Sequence, residues 1–511
     1  MDEPRSRTKR LRLLAVAAAV VLALTACADA PTQELKDSPN ATAEPDPLAQ
    51  FYEQDFGWDD CEDQDDEELR CGAVTVPVDY ADPHGGTLEI ALAARGGGDN
   101  PYLLINPGGP GVSGVDTVTQ DLPAITTDEL LEGFTVVGFD PRGVHRSEGV
   151  ECLSDEEYES SRLQVIDGDL DDDDAFAAAV ETAEQLVEGC LQRTGDLLGH
   201  VDTFSAARDM NIIRTVLGEP QLHYVGFSYG TKLGMAYAEE FPEHVGRFVL
   251  DAMLDVSLPA DEVVKAQAEG FEDALHSFAN WCVEARCPVT GDPEDVVDAV
   301  AELFDDVAEN PRTGEDGRLI NVSTVVSGFI TPMYSPQGWP LLRDALDAAL
   351  TLDDFTAFQY WADLQAGRND DGSYDWISTF AFQTIACLDY PTVSSQEQMT
   401  QQVEAMTQTA PTFGPYLGYG EVFCDALPHE PRGEPWEPRE DLPEMLFIGT
   451  TGDPATPVGW AEDMHEMVPA SALLIYEGEG HVAYRPGADC VTDEVDEFLL
   501  TGELFEGRQD C

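Results

Sequence analysis

The chain has 511 residues, enough for two domains or for one large domain with an insertion, and its 43% hydrophobic content is ordinary for a globular protein. Its 100 acidic residues against 26 basic ones leave a formal net charge of −74, with only four lysines. A surface of that sign repels nucleic acid and anionic membrane faces, so neither is expected as a partner, and it suits a salty or extracellular setting.

The first element is a targeting segment. Arg5, Arg7, Lys9, Arg10 and Arg12 precede an apolar run from Leu13 to Leu24 that is too short to span a bilayer comfortably. Leu24-Thr25-Ala26-Cys27 resembles a bacterial lipoprotein processing site. That resemblance implies a signal peptide over residues 1–26, cleavage before Cys27 and a lipid on its sulfur. Ordinary secretory cleavage after Ala28-Asp29-Ala30 is the alternative, and both place the mature chain outside the cytoplasm. Residues 27–50 are rich in Pro, Ala, Asp and Thr without apolar periodicity, and read as a disordered tether.

Eleven cysteines less Cys27 leave an even set of ten, as expected for disulfides in an oxidising compartment. Pairing neighbours along the chain suggests Cys61–Cys71, Cys152–Cys190, Cys282–Cys287, Cys387–Cys424 and Cys490–Cys511, although sequence alone leaves the connectivity open. No Cys/His spacing matches a zinc site, and neither metal nor cofactor is expected.

The folded body opens with a hairpin. Val74–Val78 and Leu88–Leu92 flank the turn-forming stretch Asp82-Pro83-His84-Gly85-Gly86. Tyr102–Ile105 is a short buried strand that runs into Asn106-Pro107-Gly108-Gly109-Pro110-Gly111, whose glycines let backbone N–H groups face a ligand. Phe134–Phe139 is the next buried strand, followed by Asp140-Pro141-Arg142-Gly143, where Asp140 and Arg142 are expected to brace loops. Acidic residues crowd 154–188 on a solvated face. A helical stretch from Ala206 to Leu217 leads to the strand at Leu222.

That strand enters Gly226-Phe227-Ser228-Tyr229-Gly230, and a helix-like run follows to Phe241-Pro242. Strand, sharp turn and helix are the context in which Gly-x-Ser-x-Gly lifts a serine hydroxyl clear of a sheet. The Tyr229 N–H at the helix start, with an N–H of Gly109, is placed to receive an oxyanion. Arg247–Asp251 is a further buried strand. Continuous apolar strands alternating with helices predict a mostly parallel sheet covered on both faces. From about 258 to 440 the pattern turns helical, as in Val263–Glu284 and Leu341–Leu352, and reads as a cap inserted between core segments 51–257 and 441–511. The sheet resumes at Met445–Ile448 and at Ala472–Tyr476.

A serine needs a base and an orienting acid. Of the four histidines that follow the start of the insertion near 258, His276 and His429 fall in the cap and His465 in the helical stretch Trp460–Met467. His481 directly follows a buried strand in Glu477-Gly478-Glu479-Gly480-His481, where a base must hang. Asp453 follows the strand before it and is the expected acid, with Asp251 as its rival. Ser228, Asp453 and His481 stand in the chain order of α/β-hydrolases.

With these residues in place, the chain resembles secreted actinobacterial α/β-hydrolases of the tripeptidyl aminopeptidase type, related to proline iminopeptidases. The resemblance runs from about Cys71 to the C-terminus. It is carried by the segments at 106–111, 138–143 and 226–230, by Ala386-Cys387-Leu388-Asp389, by Asp453-Pro454-Ala455-Thr456-Pro457 and by Gly480-His481. It implies cleavage of peptides from a free N-terminus, with 410–511 as a characteristic region. His145 stands where relatives usually carry glycine, which affects the pocket rim. Asp389 is the expected partner of the substrate ammonium. Two other readings stay open: an esterase or lipase with the same triad, and a non-catalytic surface lipoprotein. An epoxide hydrolase or dehalogenase would need Asp in place of Ser228.

Overall fold

In the computed structural model, residues 47–511 are described apart from 62–65, 67, 98–99, 165–169, 171 and 392–394. The expected leader, Cys27 and most of the tether lie outside the described residues.

The chain builds a ten-stranded sheet. Its strands are β1 (Asp59–Asp60), β2 (Leu69–Pro77), β3 (Thr87–Arg95), β4 (Tyr102–Asn106), β5 (Thr135–Phe139), β6 (Leu222–Phe227) and β7 (Val245–Asp251), then β10 (Leu446–Gly452), β11 (Ala472–Glu479) and β12 (Arg508–Asp510). Between the two groups lies a small separate ribbon of β8 (Arg312–Thr313) and β9 (Leu319–Ile320). The spatial order is β1-β2-β3-β5-β4-β6-β7-β10-β11-β12. The first three pairings are antiparallel and the rest parallel, giving the α/β-hydrolase fold.

The central strands are apolar throughout because both faces are covered. Alternate residues feed two different cores. Leu104, Val137, Phe139, Phe248, Leu250, Phe447 and Ile475 pack on one face against the helices Thr203–Val216 and Tyr229–Glu240. Leu103, Ile105, Val136, Val249, Leu446, Ile448 and Leu474 pack on the other against Val118, Leu130 and the helix Asp489–Thr501. Each such side chain contributes about 1.5–3 kcal/mol on burial, and a shift of one residue in register would exchange the faces.

Between β7 and β10 the regular structure is helical apart from the β8–β9 ribbon, from Ala260–Glu284 to Glu421–Ala426. The helices up to Thr356–Gln365 have their own core, in which Phe278, Phe304, Phe329 and Phe413 meet edge-on or tilted and Phe358 stacks on Phe329, whereas Phe380, Ile385, Leu388 and Phe423 of the later helices pack in the core of the sheet. The ribbon β8–β9 in this region was not anticipated, nor were the edge strands β1 and β12. All are two or three residues long, and their pairing is set by tertiary contacts rather than by an apolar pattern. In β1, Asp59 pairs with Cys71, which is bonded to Cys61 next to β1. All five expected disulfides are present. Among the described residues no helix is long and apolar enough to cross a membrane.

Candidate active site

Ser228 sits between β6 and the helix Tyr229–Glu240 with φ 55° and ψ −122°, a strained conformation for a residue with a side chain. Hydrogen bonds hold it there. Its N–H donates to the Asp251 carbonyl at 2.9 Å, and its own carbonyl accepts from Thr231 N–H at 2.8 Å and from the Thr231 hydroxyl at 2.7 Å. The turn closes only because Gly226 and Gly230 lack side chains: a Cβ on Gly226 would lie 2.4 Å from the Gly230 carbonyl oxygen. Ser228 is left half-buried at the C-terminal end of the central strand β6.

The loop after β4 packs directly on this turn. Gly108 has φ +96°, and a Cβ there would lie 2.4 Å from the Phe227 carbonyl oxygen and 3.3 Å from the Tyr229 nitrogen. Gly109, at φ +106°, follows in the same tight loop, so the Gly109 and Tyr229 amides belong to two chain segments in contact beside Ser228.

Asp453 and His481 meet at the ends of β10 and β11. The imidazole Nδ1 is 2.9 Å from each carboxylate oxygen. Asp453 is buried and also accepts the N–H groups of Ala455 and Thr456 and the Thr456 hydroxyl, each at 2.9 Å. These bonds fill its remaining acceptor positions and fix its orientation. Burial of the His481 ring pushes its pKa down, but the Asp453 carboxylate, by charge and hydrogen bond, and then the Asp251 charge outweigh this, so the net direction is up. Tyr334, from the helical region, stands edge-on to the ring at 5.5 Å, and its carbonyl accepts His481 N–H at 2.9 Å. The Tyr334 phenol is itself pushed up to about 12 by burial and then by the Asp453 charge.

Ser228, Asp453 and His481 thus stand just past the ends of β6, β10 and β11, with β7 between the first strand and the other two. Within the described residues no hydrogen bond joins the Ser228 hydroxyl to His481, whose Nδ1 is engaged by Asp453. Such a set can generate an alkoxide, accept its proton and stabilise an oxyanion.

Asp389 is a correction. Rather than facing a substrate, its carboxylate is buried and already neutralised inside the protein. Oδ1 accepts Thr203 N–H at 2.9 Å; Oδ2 accepts the Thr203 hydroxyl at 2.5 Å and lies 3.1 Å from Lys232 Nζ. Lys232 Nζ also sits 3.6 Å over the Tyr390 ring, and the Thr203 hydroxyl bonds the Tyr229 hydroxyl at 2.5 Å. Sequence reasoning missed Lys232 as the partner. The available signal was a lysine four residues after Ser228 in a chain with only four of them.

Asp140 and Arg142 brace loops, as expected. Arg142 donates from Nε and Nη2 to buried Asp209 at 2.7 and 2.6 Å, and Asp140 accepts from the Ser113 hydroxyl at 2.6 Å and from Val115 N–H at 3.1 Å. His145 has φ 41° and stands edge-on to Trp376 at 5.7 Å. Trp376 Nε1–H donates to the Gly111 carbonyl at 2.9 Å, tying the helical region to the loop that carries Gly109. Nothing local marked Trp376 or Tyr334, which reach the site only through tertiary packing. His465 bonds the Ser471 hydroxyl at 2.8 Å and is away from the site.

Residues 101–292 match the family described as alpha/beta hydrolase fold, and residues 410–511 the family described as TAP-like protein. The chain is 32% identical to "Serine protease Hip1" of Mycobacterium tuberculosis over 461 residues, 86% of this chain and 87% of the relative. It is 33% identical to "Carboxylesterase B" of the same species over 88% of both chains. It is 26% identical to "Tripeptidyl aminopeptidase" of Streptomyces lividans, over 87% of this chain and 84% of the relative.

Proposed function

The chain belongs to the α/β-hydrolase family with a TAP-like C-terminal region, and on that premise we propose that it is a serine exopeptidase releasing short peptides, tripeptides in the first instance, from free N-termini. The observation that carries a serine hydrolase reading is the doubly contacted Asp453–His481 pair at the strand ends beside the strained Ser228 turn. The TAP-like region and the relatives named serine protease and tripeptidyl aminopeptidase support the peptide substrate.

In this reading Ser228 Oγ attacks the scissile carbonyl while His481 Nε2 takes its proton. Asp453 keeps the His481 proton on Nδ1 and stabilises the imidazolium. The Gly109 and Tyr229 N–H groups receive the oxyanion. Collapse of the tetrahedral adduct breaks the C–N bond, and His481 returns the proton to the leaving amine. Water, deprotonated by the same imidazole, then cleaves the acyl ester and frees Ser228.

The test has two parts. A fluorophosphonate probe labels the wild type, and Ser228→Ala abolishes labelling and lowers kcat by several orders of magnitude while the protein stays folded. Mass spectrometry of peptide digests then shows products counted from free N-termini. Equal cleavage of free and N-acetylated versions of one peptide overturns the exopeptidase reading. The relative named Carboxylesterase B favours a second reading, an esterase with the same residues, which predicts rapid turnover of small esters and none of peptides.

For location, the reading is a cell-surface lipoprotein anchored through Cys27. Cys27→Ala should change processing and release the protein from the detergent-extractable fraction. Wild-type protein in the medium beginning near Ala30 and carrying no lipid refutes the anchor.

A further inference from the structure

Asp251 takes no part in the chemistry proposed above, yet it touches both sides of it. It ends β7, the strand between the one that carries Ser228 and the one that leads to Asp453. It is fully buried. Its main-chain carbonyl accepts Ser228 N–H at 2.9 Å, so it holds the strained turn on one side. On the other side its carboxylate reaches the loop of His481: Ala483 N–H lies 3.1 and 3.0 Å from its two oxygens, and Tyr484 N–H lies 2.7 Å from Oδ2. Between His481 and those two amides stands Val482 at φ 72°, a left-handed conformation that a β-branched residue adopts only under external constraint. The residue after Asp251, Ala252, is also left-handed, at φ 59°, so the chain turns away and leaves the carboxylate aimed at the loop.

We propose that Asp251 is a positioning residue that sets the His481 loop in register with Ser228. It does so through one residue's two acceptors, the carbonyl for the nucleophile and the carboxylate for the base. This rests on the Ser228–His481–Asp453 reading given above.

Two consequences separate this role from simple packing. The first is geometric: the acceptors act on His481 placement, so their loss falls on kcat rather than on KM. The second is electrostatic. The titratable groups that face Asp251 are His481 and Asp453. Burial, only partly offset by the Tyr484 and Ala483 N–H groups and by His481, pushes the Asp251 carboxyl up to about 6, so it is still ionised when the base is active above neutrality. That negative charge holds the His481 pKa up. Removing it therefore moves the acid limb of kcat/KM, which reports the free base, to lower pH.

The experiment compares wild type, Ser228→Ala and Asp251→Asn, each normalised to the concentration of folded protein, across pH 5–9 on one free-amine peptide. Asn keeps the shape but removes the charge, and puts an NH2 in place of one of the two oxygens that accept Ala483 N–H. Asp251→Asn is expected to lose roughly ten- to a hundredfold in kcat with KM within about threefold, and its acid limb is expected below that of the wild type. Wild-type kcat with an unmoved limb in a folded Asp251→Asn overturns the proposal. If that variant does not fold, hydrogen exchange resolved to single amides in the wild type decides. Protected Ala483 and Tyr484 amides support the proposal, and exchange at the rate of free backbone refutes it. Activity surviving in Ser228→Ala defeats the triad reading itself, whatever Asp251→Asn does. An inactive Ser228→Ala beside an unaffected Asp251→Asn defeats only the role of Asp251.

Discussion

Replacing Lys232 by Met tests the employment found for Asp389. The side chains of Lys232 and Asp389 are 4% and 3% exposed, so neither charge can turn to water when the other is removed. Breaking a buried pair from one side costs about 3–5 kcal/mol. Asp389 would keep the Thr203 N–H and hydroxyl as donors, which places the loss near the low end, at about 3 kcal/mol. In a protein of this size that lowers Tm by on the order of 5 °C. The sign with pH follows from Lys232. Burial pushes its pKa down, the Asp389 charge overrides this, and the net direction is up. A cation whose folded pKa is raised contributes stability that is fully present below its unfolded value, near 10.4, and lost only as pH rises through the folded one. The deficit of Lys232→Met should therefore be constant from pH 7 to 9.

The assay is thermal unfolding of oxidised protein followed by circular dichroism, for Lys232→Met, Asp389→Asn and the double variant. The double variant removes both charges while Asn still accepts from Thr203, so it should recover at least half of the Lys232→Met loss. The ratio of free-amine to acetylated peptide cleavage should stay within about threefold of wild type in all three. The reasoning fails if Asp389→Asn keeps the wild-type Tm and loses the preference for a free amine. In that event the carboxylate serves the substrate after all.

Gly108→Ala should abolish fluorophosphonate labelling, because the added methyl would stand 2.4 Å from the Phe227 carbonyl oxygen at a φ of +96°; labelling at the wild-type rate would show that the loop has room the geometry denies it. Since the Asp453 charge overrides the burial of His481 and holds its pKa up, the acid limb of kcat/KM should lie above the ordinary histidine value near 6.5, and Asp453→Asn should cut kcat by about 10⁴ and move the limb down. A limb at or below 6.5 in the wild type would refute that electrostatic account.

Much of this protein is written locally. The strands β4, β5, β6, β7, β10 and β11 are legible because strands covered on both faces are apolar at every position, and helices separate them at parallel-crossover spacing. Ser228 is legible because only a strand–turn–helix with glycines two residues either side can form its turn, and His481 and Asp453 because a base and an acid must hang from strand ends. The neighbour pairing of cysteines also anticipated the disulfides, since the partners lie close along the chain.

What the sequence left undecided depends on contacts between distant segments. Asp389 has the same local pattern whether it faces a substrate or a lysine; only docking of the helix Ser378–Asp389 against Thr203 and Lys232 decides it, because a buried charge takes the partner that tertiary packing supplies. Asp251 and Asp453 are equivalent in sequence, each ending a buried strand before a turn. The order of strands separates them. β10 lies beside β11 and brings Asp453 to the imidazole, whereas β7 lies one strand further in and brings Asp251 to the backbone beyond it.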